Sequence, residues 1–566
     1  MRTEQEGTGM PQDAFTLRHI AEELDRAVSG AKVNKIIQPS RDEVDLFLYT
    51  GKRTEKLLLN VNASLARAVL SDVPRAAPET APNFCMLLRK HLTGSTLVSV
   101  AMEGFERILS FTFDCAGEFT RARRVLYAEI MGKYSNLILC ENGVILGALK
   151  ISSLEENYRR ILFPGVKYLP PAPQDKADPT NEAESAARIA AWSGGDFAKF
   201  LASNLSGLAL STCRRIEDFL AGERDPGKAA ALVRAYVLSE EKAPCVVRRD
   251  GGAEDFCVRG ETGDPYPTVT AAADAYYLEK EGRSLFAGRK RKLESVLSAR
   301  KKKEEKKLAV LSAQERDCAD MEKNRVYGEL ITAYIYRIRR GDRSLTAENY
   351  LEEGCPPVTI PLDSALSPSA NAQRYYKKYA KQKRTVAAVA AQKESLLPEL
   401  DYTESMLAAL SSAENLFDLE GISAEAQTLG LLPPEKTRSR KTAKIPFRTY
   451  ETEGFTILAG RNNLQNDLLL KEADPRDVWL HAQKYHSAHV LVRAAGRPVP
   501  GEVLLRAAEI CVWYSDAHAG GRVPVDFCER RFVKKPPKSP AGFVLYTDFR
   551  TLTAEGDAHA EIRTDA

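Results

Sequence analysis

Among 566 residues there are ten cysteines, seven histidines and three tryptophans, and no two cysteines stand in a CxxC pair. That scatter excludes a disulfide framework and a cysteine-built zinc finger, and it points to a reducing, cytoplasmic setting. No apolar run reaches the roughly 18 residues of a membrane span, and no basic start leads into a signal-peptide core, so neither a membrane partner nor export is expected. The excess of one charge sign is also small overall. With a formal net charge of +4 and 28% charged residues, any nucleic-acid binding has to come from local patches.

A chain this long exceeds one hydrophobic core, and three or four domains are expected. Nine polar residues, "MRTEQEGTG", precede Met10, which is read as the true start. Helical spacing follows to about Val28. From Lys32 to Leu169, short β-branched or alternating runs such as "EVDLFLYT", "KLLLNVN", "RILSFTFD" and "RVLYAEIM" are separated by turn signals, with one helix, "NFCMLLRKHL", among them. An α+β domain dominated by antiparallel sheet is expected over 10–174, closed by the Pro-rich "YLPPAPQDKADP".

Residues 175–283 read as mostly helical. In them "LASNLSGLALSTCRRIEDFL" has the form of a helix-hairpin-helix with Gly207 in the turn and Ala209 where a second glycine is usual. Contact with a nucleic-acid backbone and plain helical packing are both open. Over 284–425, Leu308, Leu311, Cys318 and Met321, and then Val386, Val389, Leu396, Leu400, Leu407 and Leu410, keep the spacing of a coiled-coil seam. An antiparallel hairpin is expected, with two strand-like pieces and a Ser-Pro helix start at its tip. The last domain, 444–553, is read as α+β, with strands around one helix, "GEVLLRAAEICVWYSDAH". The polar tail "AEGDAHAEIRTDA" has the composition of a disordered segment.

Several basic runs stand out. "RKRKLESVLSARKKKEEKKL" opens the first arm. "QRYYKKYAKQKR" opens the second, with Arg374, Lys377, Lys378, Lys381, Lys383 and Arg384 unbroken by any acid and tyrosines interleaved. Such a run fits phosphates, with rings free to stack on bases. "TRSRKTAK" and "CERRFVKKPPKSPAGF", the latter with Lys534 and Lys535, repeat the theme around the last domain. In "DVWLHAQKYHSAHVLVR", His481, His486 and His489 fall within nine residues. Their spacing lacks the second ligand pair of a zinc site, and no GxSxG, HExxH, P-loop or GxGxxG accompanies them, so neither a metal nor a catalytic role is assigned. Core histidines and an RNA-facing loop remain the two readings.

Taken in order, "NFCMLLRKHLTG", "YAEIMGKYSNLIL", "GELITAYIYRIRRG", "VTIPLDSALSPSANAQRYYKKY", "GRNNLQNDLL", "DVWLHAQ" and "FVKKPPKSPAGFVLY" resemble the NFACT family from Met10 to about Thr553. The resemblance implies an NFACT-N domain, a helix-hairpin-helix domain, a coiled-coil middle and an NFACT-R RNA-binding domain. It also implies ribosome-associated quality control: binding of large ribosomal subunits (rRNA) obstructed by peptidyl-tRNA, and recruitment of tRNA, in bacteria chiefly alanyl-tRNA. C-terminal alanines added there mark the stalled chain for degradation. The peptide-bond chemistry belongs to the ribosome, so no active site and no cofactor are implied.

The family's Asp-Arg pair for tRNA engagement falls on Glu106-Arg107 in "GFERIL", one methylene longer in the acid. Glu129 and Lys133 are the further tRNA-binding residues that the resemblance implies. His481, His489, Lys534, Lys535, Arg374, Lys377 and Lys378 form the RNA-binding set. The family's "GSHV" is "SAHV" here, which keeps His489. Two other classes fit the sequence less well. An adhesin binding fibronectin, as an older family name suggests, conflicts with the lack of an export signal. A formamidopyrimidine-type DNA glycosylase or lyase, whose N-terminal fold NFACT-N resembles, conflicts with Gln12 after Met10-Pro11 and with the missing cysteine pairs.

Overall fold

A computed structural model describes residues 12–116, 121–152, 160–172, 174–249, 252–260, 262–433, 445–517 and 520–564. Met10 and "TRSRKTAK" lie outside the described residues. The chain divides into two compact units, Met1–Ser284 and Leu285–Ala566.

The first unit opens with α1 (Ala14–Val28) and a sheet of nine strands: β1 (Lys32–Ser40), β2 (Glu43–Tyr49), β3 (Thr54–Asn60), β4 (Arg67–Leu70), β5 (Thr96–Met102), β6 (Ile108–Ala116), β7 (Arg121–Glu129), β8 (Asn136–Glu141) and β9 (Val144–Ala148). The order is β4-β3-β2-β1-β5-β6-β7-β8-β9, and the pairings are antiparallel, as the alternating runs predict. α2 (Asn83–Leu92) coincides with the expected helix and buries Phe84, Cys85, Leu88 and Leu92. β4 and β9 are short and were not anticipated.

Next come α3 (Glu182–Ile189), α4 (Phe197–Asn204), α5 (Leu210–Leu220) and α6 (Pro226–Leu238). A small antiparallel sheet of β10 (Cys245–Arg249), β11 (Gly252–Cys257) and β12 (Asp264–Pro265) follows. This sheet corrects the expectation of a mostly helical segment. The free thiols of Cys245 and Cys257 sit directly opposite each other on β10 and β11, with Sγ atoms 3.0 Å apart.

α7 (Val269–Arg316) runs unbroken for 48 residues, so the boundary expected at Ser284 falls inside it. Gly282 and Gly288 cost about 1 kcal/mol each in a helix, too little to interrupt an otherwise Ala-, Lys-, Glu- and Leu-rich run.

In the second unit, α8 (Met321–Ala333), the hairpin of β13 (Ser344–Glu348) and β14 (Pro357–Pro361), and α9 (Pro368–Ser411) complete the long helical pair. The Ser-Pro start holds as read: Ser367 accepts from Ala370 N–H at 3.3 Å and Pro368 takes the first turn. Lys393 pairs with Glu315, Lys301 with Glu404 at 2.9 Å, and Thr403 Oγ1 donates to Glu304 at 2.9 Å, so α7 and α9 run antiparallel. Val389, Leu396, Thr403 and Leu410 are buried at seven-residue spacing, with Leu311 facing Val389 and Leu396.

α10 (Leu416–Thr428) then leads to a six-stranded sheet, β15 (Arg448–Thr452), β16 (Phe455–Ala459), β18 (Val490–Val492), β17 (Val478–Ala482), β19 (Val523–Glu529) and β22 (Arg550–Ala554) in spatial order. α12 (Gly501–Trp513) packs on it through Val503, Ala507, Ile510 and Cys511. β20 (Val533–Lys534) and β21 (Leu545–Tyr546) pair separately.

Two expectations fail here. A second helix, α11 (Asn463–Glu472), joins the one expected; its N-terminus is capped by Asn462 on Gln465 N–H at 2.8 Å. Residues 554–564 of the tail expected to be disordered are docked. His559 is 4% exposed with Nε2 at 2.6 Å from Glu509, and Thr564 N–H donates to Thr449 O at 2.8 Å.

Candidate nucleic-acid interface

The first cluster is built on one end of the nine-stranded sheet. Glu106 and Arg107 lie in the β5–β6 connection, both half-buried, and the Arg107 carbonyl accepts from Ile130 N–H at 2.9 Å. That bond holds the β5–β6 connection beside the β7–β8 turn. There Lys133 is exposed, its Nζ 4.9 Å from the ring of Tyr134, which is itself 71% exposed. Glu106, Arg107 and Lys133 therefore share one edge.

Glu129 does not join that surface. Its carboxylate is fully buried, gripped by both guanidinium nitrogens of Arg160, and accepts from Tyr168 Oη at 2.9 Å. It supports the turn from below and is no direct surface contact, because burial is compensated only by an internal partner.

The same edge is completed by helix starts. Asp13 caps α1 through Thr16 N–H at 2.9 Å, and its second oxygen accepts from Ala209 N–H at 3.0 Å, at the start of α5. Ala209 has φ −80°, so this turn needs no glycine there. Gly207 has φ +71°, and a Cβ on it would lie 2.7 Å from the Phe105 carbonyl oxygen. The turn thus seats directly on the residue before Glu106.

A second cluster runs along α9. Arg374, Lys377, Lys378, Lys381, Lys383 and Arg384 are exposed, and none but Arg374, 3.2 Å from Asp363, makes an ion pair among the described residues. The interleaved rings differ from expectation. Tyr375 donates to Pro361 O at 2.7 Å and meets Tyr327 edge-on, while Tyr376 lies against Gly328; both serve packing on α8. The first arm is also more balanced than its composition suggests, since Arg300–Glu304 and Lys301–Glu305 pair at i,i+4.

The third cluster surrounds the histidines. His489 is 1% exposed, and His481 is half-buried with its ring stacked on Trp479, centroids 5.7 Å apart at 9°. Burial, assisted by neighbouring charge, drives the His481 imidazole down to about 4 and His489 well below its ordinary range, so both stay neutral. Among the described residues no group of three metal-ligating side chains is assembled. Lys534 is exposed on β20, Lys535 pairs with Asp467, and Arg530 is spent on the Leu470 and Val533 carbonyls.

Beneath this face, and legible from no motif, lies a buried charge cluster. Asp418 of α10 sits 2.7 Å from Arg461 Nη1 and 3.1 Å from Arg448 Nη2, all three 0–2% exposed.

Residues 13–444 match the model for the NFACT N-terminal and middle domains, and residues 445–543 match that for the NFACT protein RNA-binding domain. The chain belongs to the NFACT family. Over 571 residues it is 31% identical to the Rqc2 homolog RqcH of Bacillus subtilis (strain 168), covering 98% of this chain and 99% of that protein. Among solved structures, it is similar to the N-terminal part of the fibronectin/fibrinogen-binding protein of Streptococcus suis (26% identity, TM-score 0.41, 47% of this chain and 98% of that one). It is likewise similar to the C-terminal part (27%, 0.40, 50% and 100%). In this NFACT protein the "NNLQND" helix and the "SAHV" segment lie together: Asn466 Oδ1 accepts from His489 N–H at 3.1 Å.

Proposed function

We propose that this NFACT protein is a ribosome-associated quality control factor that binds obstructed large ribosomal subunits and recruits tRNA, with alanyl-tRNA as its substrate and C-terminal alanine tails as the outcome. Full-length similarity to an Rqc2 homolog supports the class of process. The observation that carries the tRNA assignment is the 2.9 Å bond from Ile130 N–H to the Arg107 carbonyl, which gathers Arg107, Glu106 and Lys133 into one polar edge beside the starts of α1 and α5. Guanidinium and ammonium groups on such an edge engage phosphates, and the adjacent carboxylate of Glu106 orients the arginine. Glu129 acts indirectly, by fixing the turn that carries Lys133.

On this reading residues 10–174 form NFACT-N, 175–283 the helix-hairpin-helix domain, 284–425 the coiled-coil middle and 444–553 NFACT-R, with α7 shared across the second boundary. The cations of α9 meet rRNA, and His481, His489, Lys534 and Lys535 belong to an RNA face. Bond-making stays with the ribosome, so the protein contributes binding and positioning in the cytoplasm.

Pulling the protein from its native cells in mild salt and sequencing the co-purifying RNA, with wild type beside Arg107→Ala, tests this. Large-subunit rRNA with one enriched tRNA is expected, and the variant loses the tRNA alone. Wild-type protein that brings down neither RNA refutes the reading.

A further inference from the structure

A cavity of about 940 Å³ opens in the second unit between α9 and the sheet that carries the histidines. One wall is α9 from Leu397 to Ser412; the other is the α11 start, the 484–489 loop and the 539–544 arm. The arm lies close because Gly542, at φ +78°, has no Cβ: one there would stand 2.6 Å from Asn463 Oδ1. The volume sits at the upper end of the roughly 300–1,000 Å³ of small-ligand pockets, enough for a nucleoside and part of its neighbour.

The chemistry of the lining is selective. His481 presents a neutral ring already stacked on Trp479, so a flat aromatic laid on it would extend the stack. His489 meets His481 edge-on at 5.5 Å, and its Nδ1, nine-tenths and more buried, has no hydrogen-bond partner. Such a nitrogen is costly to leave unsatisfied, which points to a polar occupant. The neutral imidazoles and the side-chain oxygen of Asn463, whose amide N–H groups are taken by Ser405 and Glu425, offer hydrogen bonds without charge, as a base edge requires and a phosphate does not. Net charge inside is modest, since Asp401, Glu404 and the buried Asp418 balance Arg448, Arg461 and Lys484. Exposed cations, Lys484 and Lys538, stand outside or at the rim, where a backbone phosphate would remain in water.

We propose that this cavity receives one unstacked nucleobase of a bound RNA strand, its face on His481 and its edge toward His489 and Asn463. The inference rests on the RNA-binding reading of this region and adds a site to it. Full-length protein is titrated with a short single-stranded RNA and with the same strand carrying one abasic ribose at successive positions. One position should cost about tenfold or more in affinity, the scale of a stacked base. That penalty should vanish in His481→Ala, return in His481→Phe, which restores a ring, and shrink in Tyr485→Ala, a 43% exposed residue at the cavity whose replacement leaves the core untouched.

If wild type binds the strand in a salt-dependent way but no abasic position costs more than twofold, RNA is held on the cationic surface and the cavity proposal falls while the RNA-binding reading stands. Absence of any RNA binding at low salt overturns both.

Discussion

A Cβ on Gly207 would stand 2.7 Å from the carbonyl oxygen of Phe105, so the turn before α5 and the loop that carries Glu106 and Arg107 are fitted to each other across a hundred residues of chain. Gly207→Ala must therefore open this contact as well as strain a backbone at φ +71°. Overpacking of this kind costs about 1–3 kcal/mol. The expected outcome is a lowered melting temperature of the first unit together with tRNA affinity reduced as in Arg107→Ala, read by filter binding. Unchanged tRNA affinity at reduced stability would separate the turn from the site.

The α9 cations give a salt-dependence prediction. If Lys377, Lys378 and Lys381 contact rRNA phosphates, each replacement by Ala should lower the slope of log affinity against log salt by roughly one, whatever the RNA sequence. Sedimentation with large subunits across a salt series measures it. An unchanged slope would mean that these exposed ammonium groups face solvent in the complex.

Asp418 is the counter-ion of two buried guanidiniums. Burial alone would raise its carboxyl, but Arg448, the Glu414 N–H and Arg461 outweigh that and hold it below the usual range. Asp418→Ala leaves two cations facing each other without an anion and should cost about 3–5 kcal/mol. Denaturant unfolding of the full chain, followed by tryptophan fluorescence, to which Trp479 and Trp513 of the second unit and Trp192 of the first contribute, checks this. Because the folded carboxyl is depressed, its stabilisation is present at neutral pH and is lost as pH falls through the folded value.

Asp45 behaves in the opposite sense. It is fully buried, neither carboxylate oxygen has a hydrogen-bond partner, and burial, with help from Glu43, raises it from 3.8 to about 6 against the pull of Lys56, Arg75 and Arg67. The folded state binds the extra proton between these values, so stability falls as pH rises from 3.8 through 6 and stays lower above. Asp45→Asn should stabilise the first unit at pH 7 by about 2–3 kcal/mol and make little difference below pH 3.8. Paired thermal melts at the two pH values decide it. Equal stabilisation at both would mean that packing and not ionisation is responsible.

Periodicity carried far in this chain because it reports which side of an element faces apolar neighbours. Seven strands of the nine-stranded sheet, the α2 limits, the seven-residue seam through Val389 and Leu396, the Ser367 cap and the NFACT motifs were all legible in the sequence. Each is a local pattern, and local patterns survive without knowledge of the partner. What the tertiary structure alone decided is where a polar side chain goes once a distant segment arrives. Glu129 turns inward because Arg160 and Tyr168 meet it; Tyr375 is spent on Pro361 and Tyr327, while Tyr376 lies against Gly328 and stays 36% exposed. Asp418 binds arginines 30 and 43 residues along the chain. Ala209 needs no glycine because its N–H finds Asp13. The cavity beside His481 exists only where α9, the α11 start and the Gly542 arm converge. Polar groups take their roles from the partner that compensates their desolvation, and that partner is set by chain topology, which no local spacing encodes.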